Sequence, residues 1–305
     1  MKSSASEAWA RQLQGDVRLH EPLAQWTSIR VGGPAEVLFR PLKLEQLVHA
    51  LKIARHDGVP IAVLGGGANT LVGDEGIPGL TIKLPGDLFP EEVVRQGEEA
   101  VLALGAGAAI VRLINLMKAH RLVGAEFLAG IPGTLGGAVS MNAGTKHGEC
   151  MSVVQAVEVA TAEGVGWIPR ERLSVRYRRT DLLEGGVVTR VRFALREGDV
   201  DASRAAMEAD LDYRKRTQPL SQPNFGSVFK NPPNDFAGRL IESVKLKGHR
   251  IGQAEISELH ANWIVNLGGA TAKDVTALIS LAQQRVREAT GVELQPEVKK
   301  VGRFA

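Results

Sequence analysis

The chain has one cysteine, Cys150, among 305 residues. A single cysteine excludes an intrachain disulfide and a cysteine-rich metal site. It also fits a reducing compartment. Cys150 abuts a glycine-rich run, and it reads as a small, partly buried spacer rather than as a reactive thiol. Excess charge of one sign is also missing. The 37 Lys and Arg against 34 Asp and Glu leave a net +3, too little to argue for a nucleic-acid partner. Long apolar runs are absent. The longest, Val101 to Met117, is broken by Arg112 and Asn115 and carries two glycines, so it is too short and too interrupted to span a bilayer. The first nine residues, Met1 to Trp9, are polar and lack the apolar stretch of a signal peptide. No His/Glu pattern has metal-ligand spacing. These absences lead us to expect a cytoplasmic protein with no metal, no membrane anchor and no nucleic acid.

What remains is an ordinary globular composition, 44% hydrophobic and 23% charged, long enough for two or three domains. Residues 1–20 read as a short leading helix and linker. Helical spacing of Leu44, Leu47, Val48, Leu51 and Ala54 predicts a helix over 44–56, ended by Gly58. Strands are predicted at 61–64 and 80–84, a hairpin over 93–105 turning at Gly97-Glu98, and a helix over 110–120. Further on come a hairpin around Glu163-Gly164, a strand at 187–195 and a helix over 201–213. Thr271, with Asp274 three residues on, predicts an N-capped helix over 272–289. Its stripe of Val275, Leu278, Ile279, Ala282, Val286 and Ala289 should pack on a strand at 263–266. Gly198-Asp199-Val200-Asp201 separates strand-rich from helix-rich sequence. The division expected is 1–20, 21–198 and 199–305.

Glycine is the conspicuous presence. Six glycines, at 130, 133, 136, 137, 144 and 148, fall within Gly130–Glu149. Glycine is entropically costly unless a positive φ or close backbone approach requires it. Backbone N–H groups in such loops can cradle a phosphate. A second cluster, Gly65-Gly66-Gly67-Ala68-Asn69, follows the apolar run 61–64. Two such loops suggest one large phosphate-bearing cofactor held at two places. The cluster at 65–67 is not a P-loop, because no Gly-Lys-Ser/Thr follows it. The Gly105-Ala106-Gly107 turn imitates a dinucleotide fingerprint, with Glu126 at a plausible distance. Its sixth position is Ile110, where glycine or alanine is wanted.

The 130–149 run, 65–69, Thr27-Ser28-Ile29-Arg30-Val31-Gly32-Gly33, Gly226-Ser227-Val228-Phe229-Lys230-Asn231-Pro232 and Gln295-Pro296-Glu297-Val298 occur in one order. Together they resemble the UDP-N-acetylenolpyruvoylglucosamine reductase family of peptidoglycan synthesis, over about residues 20 to 302. The resemblance implies an α+β chain: an FAD-binding fold of the p-cresol methylhydroxylase type in two subdomains, then a C-terminal α/β substrate-binding domain. It implies noncovalent FAD against Gly65, Gly66, Gly67, Ala68 and Asn69, and against Gly130, Ile131, Pro132, Gly133, Thr134, Gly136, Gly137, Asn142, Ala143, Gly144 and Gly148. Ala68 replaces the family's usual serine, which removes one hydroxyl donor and leaves the backbone donors. Thr70 stands where leucine is common.

The reaction so implied is NADPH-dependent, FAD-mediated reduction of UDP-N-acetylglucosamine enolpyruvate to UDP-N-acetylmuramate. Hydride goes to C3, enolate charge develops through C2 into the carboxylate, and one proton goes to C2. Ser227 matches the family's proton donor. Arg178, in Tyr177-Arg178-Arg179-Thr180, matches the residue gripping the carboxylate, and a guanidinium suits that planar group. A strand-like backbone here would send Arg176 and Arg179 to the opposite face. Glu297 matches a carboxyl group beside the enolate. Without the resemblance, Ser227 reads as a turn serine, Arg178 as part of a solvated basic face and Glu297 as a surface charge. Lys215, Lys230 and Asn231 are the candidates for the UDP diphosphate. His260, in His260-Ala261-Asn262-Trp263, reads as a packing or hydrogen-bonding residue. The short stretch from Arg178 to Ser227 implies the subclass without a lid-tyrosine insertion.

One cofactor-sized glycine system and no separate nicotinamide domain imply that NADPH and the sugar nucleotide use one cleft in turn, on a monomer. An oxidase of the same fold, and a flavin- or nucleotide-binding module without turnover, are the alternatives.

Overall fold

The computed structural model describes residues 2–304, with helices α1 (Lys2–Ala10), α2 (Leu44–His56), α3 (Ile110–Ala119), α4 (Leu135–Ser140), α5 (Val200–Thr217), α6 (Ala237–Ser243) and α7 (Ala272–Thr290). The chain forms two compact units. The first comprises residues 1–19, 37–66 and 79–211, and the second residues 20–36, 67–78 and 212–305. This differs from the linear division expected at 198/199. The second unit recruits two early segments because their side chains belong to its core. Ile29, Val31 and Leu71 are buried with Phe225, Leu240, Ile264 and Leu278. Asp74 adds a polar tie, its carboxylate accepting the N–H groups of Ala272 (2.7 Å) and Lys273 (2.9 Å). Those are the otherwise orphaned donors at the start of α7.

The first unit holds two cores. In one, α2 buries Leu47, Ala50, Leu51 and Ala54 with Val37, Phe39, Leu80 and Ile82. Strand Ile61–Val63 pairs in parallel with Ile77–Ile82 at the edge of a four-stranded sheet. In the other, an antiparallel sheet runs in the order 165–169, 154–160, 187–197, 99–105 and 92–96. Its core joins Leu102 and Leu104 to Leu113 and Met117 of α3, Leu135 of α4, and Val157 and Phe193. The hairpin predicted over 93–105 forms with Gln96 opposite Glu99. The linker expected before residue 20 contains a strand, Asp16–Pro22.

The second unit carries an antiparallel sheet in the order Asn224–Ser227, Trp263–Asn266, Ala254–Ile256, Arg250–Ile251. Helix α7 starts on a capping box between Thr271 and Asp274 and stops at Gly291, whose φ is +74°. Its predicted apolar stripe is buried from Val275 to Val286, while Ala289, in the helix's last turn, is exposed. The helix lies chiefly over Ala254–Ile256 and Arg250–Ile251, one and two strands away from the expected partner 263–266. Strand Lys299–Val301 pairs in parallel with Thr70–Val72, which places Glu297 just before a strand.

Candidate active site

The two glycine clusters meet in the first unit. A Cβ on Gly66 would lie 2.6 Å from Gly133 Cα, and one on Gly65 would lie 2.8 Å from Thr134 Oγ1. A Cβ on Gly144 would lie 2.2 Å from Gly148 O, and one on Gly148 would lie 2.7 Å from the Phe127 ring. The glycines thus serve first to let protein backbone approach protein backbone. Where they leave donors for a phosphate is specific. In the first turn of α4 the N–H groups are occupied: Leu135 donates to Ala108 O (2.9 Å), Gly136 to Ala106 O (2.8 Å) and Gly137 to Thr134 Oγ1 (3.4 Å). Among the described residues no protein acceptor takes the N–H groups of Gly66, Gly133 or Thr134. Unengaged N–H groups at this junction fit the pyrophosphate of FAD. Gly67, Ala68 and Asn69 belong to the second unit.

The Gly130–Glu149 run is not all loop. Residues Leu135–Ser140 form α4, capped by Thr134. Asn142 is fully buried at φ +41°. Its amide donates to Glu149 Oε2 (2.7 Å) and accepts the Met151 N–H (3.0 Å). It therefore ties the run together through protein contacts. Ala143 O accepts the Cys150 N–H at 2.7 Å. Cys150 is fully buried, and burial pushes its thiol up to about 12, so it is an inert spacer. Gly130, Ile131 and Pro132 lie on the half-buried to exposed approach to Gly133. The fingerprint-like turn is not a separate site, since Ile110 N–H donates to Gly133 O at 3.1 Å. Glu126 accepts the Gly124 N–H (2.9 Å) and the Ser203 hydroxyl (2.9 Å), a structural role.

One contributor escaped the sequence reading. Lys83, just after strand Ile77–Ile82, donates from Nζ to Gly65 O at 2.6 Å. Burial pulls its ammonium below the usual lysine value. A lone lysine after an apolar strand carries no motif, so only the fold reveals it.

Arg178 occupies the two-residue turn of a hairpin, Ser174–Arg176 against Arg179–Asp181, at φ +58°. This corrects the expected alternation. Arg176 and Arg179 are directly paired across the hairpin, and both bind Asp181. A non-glycine residue in the left-handed region costs about 1–3 kcal/mol and concentrates at functional sites. Arg178 Nη2 donates to Gly144 O at 3.1 Å, and Thr180 anchors the hairpin through Val139 O at 2.6 Å. The arginine is thereby held on the second glycine run.

Ser227 and Glu297 come together in the second unit. Ser227 ends strand Asn224–Ser227, opposite Trp263, after a bulge. Gly226 precedes it at φ +79°. Glu297 N–H donates to Val228 O at 2.8 Å, and Asn69 Nδ2 donates to Glu297 O at 3.1 Å. Asn69, expected at the cofactor, is thus seen holding the Glu297 backbone. Lys230 N–H donates to Gln295 O at 2.9 Å, and Asn231 Oδ1 accepts the Ala237 N–H of α6 at 3.1 Å. Lys215 is exposed and pairs with Asp212 at 3.2 Å. It borders a cleft of about 430 Å³ whose walls include Gln218, Ser257, Glu255 and Glu258, a mixed rather than purely cationic lining.

The geometry and the comparisons agree on a class: a flavin-dependent oxidoreductase. Residues 35–166 match an FAD-binding domain model. Residues 218–301 match the C-terminal domain model of UDP-N-acetylenolpyruvoylglucosamine reductase. The reductase of that name from Myxococcus xanthus is 68% identical over 289 residues, covering 95% of this chain and 93% of the relative. That of Anaeromyxobacter sp. is 54% identical over 96% of this chain and 91% of its own. The crystal structure of the reductase from Thermus caldophilus superposes with TM-score 0.80 at 38% identity, covering 95% of this chain and 99% of that one. The chain belongs to the UDP-N-acetylenolpyruvoylglucosamine reductase family. Among the described residues no helix is long and apolar enough to cross a membrane.

Proposed function

We propose that this protein reduces UDP-N-acetylglucosamine enolpyruvate to UDP-N-acetylmuramate with NADPH, in the bacterial cytoplasm, as a monomer. FAD, when bound, supplies the group that accepts hydride from NADPH and passes it to the substrate's C3. The observation that carries the reading is the meeting of Gly65-Gly66 with Gly133-Thr134, with open N–H groups at the junction, in a chain of this family.

The remaining work falls to the chain's own side chains. Arg178 grips the substrate carboxylate and holds the charge that spreads into it during reduction. Stabilising developing charge with fixed donors is usually the largest catalytic contribution. Ser227 gives its hydroxyl proton to C2. A serine hydroxyl is a weak acid, so this role needs a fixed position and a stabilised alkoxide. Glu297 lies beside the same charge. Lys215, Lys230 and Asn231 hold the diphosphate. Tyr177 and Tyr213 are the only tyrosines, which supports the subclass without the inserted lid tyrosine.

The test is direct. The purified protein should show an oxidised-flavin spectrum, and NADPH oxidation should require the enolpyruvyl nucleotide. Double-reciprocal plots should be parallel, because NADPH and substrate take turns. Intersecting lines with a ternary complex would remove the shared-surface reading. Rapid flavin reoxidation by O₂ without need of substrate would favour an oxidase. No flavin, even after reconstitution, would overturn the reading of both glycine loops.

A further inference from the structure

The backbone ladder between Asn224–Ser227 and Trp263–Asn266 ends at the Ser227–Trp263 pair. Beyond it, one residue, Asn262, holds the segment through both its backbone and its side chain. Asn262, 4% exposed, accepts the Phe229 N–H on Oδ1 (3.0 Å) and donates from Nδ2 to the Phe229 carbonyl (2.8 Å). Its own backbone carbonyl accepts the Val228 N–H at 2.9 Å. A primary amide is the side chain that can satisfy both polar groups of one residue at once. Reversing it would set donor against donor and acceptor against acceptor.

The clamped segment connects the proposed proton donor, Ser227, with Glu297, the carboxyl group proposed beside the developing charge. Val228 follows Ser227, and its carbonyl accepts the Glu297 N–H at 2.8 Å. Phe229 bridges Pro296. Val228 is therefore one peptide from Ser227 and one hydrogen bond from Glu297. Asn262 is itself fixed, because its N–H donates to His260 Nδ1 at 3.2 Å.

We propose that Asn262 is a positioning residue for the reduction step: its buried amide locks Phe229, the neighbour of Val228, and so sets the spacing of Ser227 and Glu297. This rests on the roles proposed for those two residues. Misplacing a reacting group by about 1 Å costs about 100-fold in rate.

The experiment follows flavin absorbance anaerobically in the holoenzyme, in two half-reactions, for Asn262→Asp, Asn262→Leu and Ser227→Ala. Asn262→Asp keeps an acceptor for the Phe229 N–H but turns an oxygen toward its carbonyl. Asn262→Leu removes both bonds at similar size. Both should slow flavin reoxidation by the enolpyruvyl nucleotide about 100-fold, mainly in kcat. Flavin reduction by NADPH, which needs no proton from Ser227, should stay within about twofold on the same principle. Equal losses in both half-reactions would make Asn262 merely structural and overturn the proposal. Unchanged reoxidation in both Asn262 variants, with Ser227→Ala slow, would also overturn it. Unchanged reoxidation in Ser227→Ala would instead remove the Ser227 reading on which it stands. The wild-type protein gives a test independent of variant folding. The Phe229 amide should resist hydrogen exchange as strongly as Val265, and exchange at the rate of an open loop would overturn the proposal.

Discussion

The two units hold their functional groups by opposite means. In the first, backbone meets backbone. Gly66 lies against Gly133 and Gly144 against Gly148, at separations that exclude any side chain. In the second, side-chain amides do the holding, those of Asn262 and Asn266 buried and that of Asn69 half-buried. Asn262 grips Phe229, Asn69 reaches Glu297, and Asn266 donates to Ile29 O at 2.9 Å. On the roles proposed above, the contrast follows from what each unit would present. A pyrophosphate is bound by many weak N–H dipoles, so side chains must be cleared away. A proton donor and its carboxyl neighbour are single side chains, so their strands must be held at fixed register.

The first way to break the comparison is to put a methyl group into the glycine junction. Gly66→Ala places a Cβ 2.6 Å from Gly133 Cα, and overpacking of this kind costs about 1–3 kcal/mol. The variant should melt at a lower temperature and purify without flavin. Gly166→Ala, where nothing lies within 4 Å of the added Cβ, should stay within about 0.5 kcal/mol of wild type and keep its flavin. Equal behaviour of the two would show that the close approach is not needed.

The second prediction concerns Lys83, a half-buried cation on the glycine junction of the first unit. Removing the Lys83 bond to Gly65 O with Lys83→Met should weaken FAD binding about tenfold, since a bond from a charged donor contributes about 1.5–3 kcal/mol. Flavin quenching titrations measure this. Flavin reoxidation by substrate in the saturated enzyme should be unchanged.

The smallest effect concerns pH and the second unit. Burial, aided by Lys247, holds the His260 imidazole below its ordinary 6.5, with Glu242 opposing. The neutral ring is also the form that accepts the Asn262 N–H. The unfolded chain takes up this proton first, so stability rises with pH across the interval between the two values. On acidification the loss begins near the unfolded value of 6.5 and levels off below the folded one. Melting curves from pH 7.5 to 5 should show that loss in wild type and less of it in His260→Gln.

The sequence was most informative where the pattern is local. Helix α7 lies within a residue of its predicted ends because the Thr271–Asp274 box, the apolar stripe and Gly291 are all short-range signals. The hairpin at Gly97-Glu98 was legible for the same reason. What the sequence could not show is what long-range packing decides. Residues 20–36 and 67–78 join the second unit through Ile29, Leu71 and Asp74, across separations of roughly 200 residues that no periodicity records. Arg178 read as a strand residue because hairpin and strand share composition, and only the left-handed turn distinguishes them. The glycine count was right and its reason incomplete, since most of the closeness is between protein segments.

The central claim is that proton delivery in the second unit is separable from cofactor holding in the first. Stopped-flow flavin absorbance of Ser227→Ala tests it most directly. NADPH should bleach the flavin at the wild-type rate. Reoxidation by the enolpyruvyl nucleotide should then slow by about 10²–10⁴-fold, the usual worth of a general acid. Reoxidation at the wild-type rate, or equal slowing of both phases, would contradict the account.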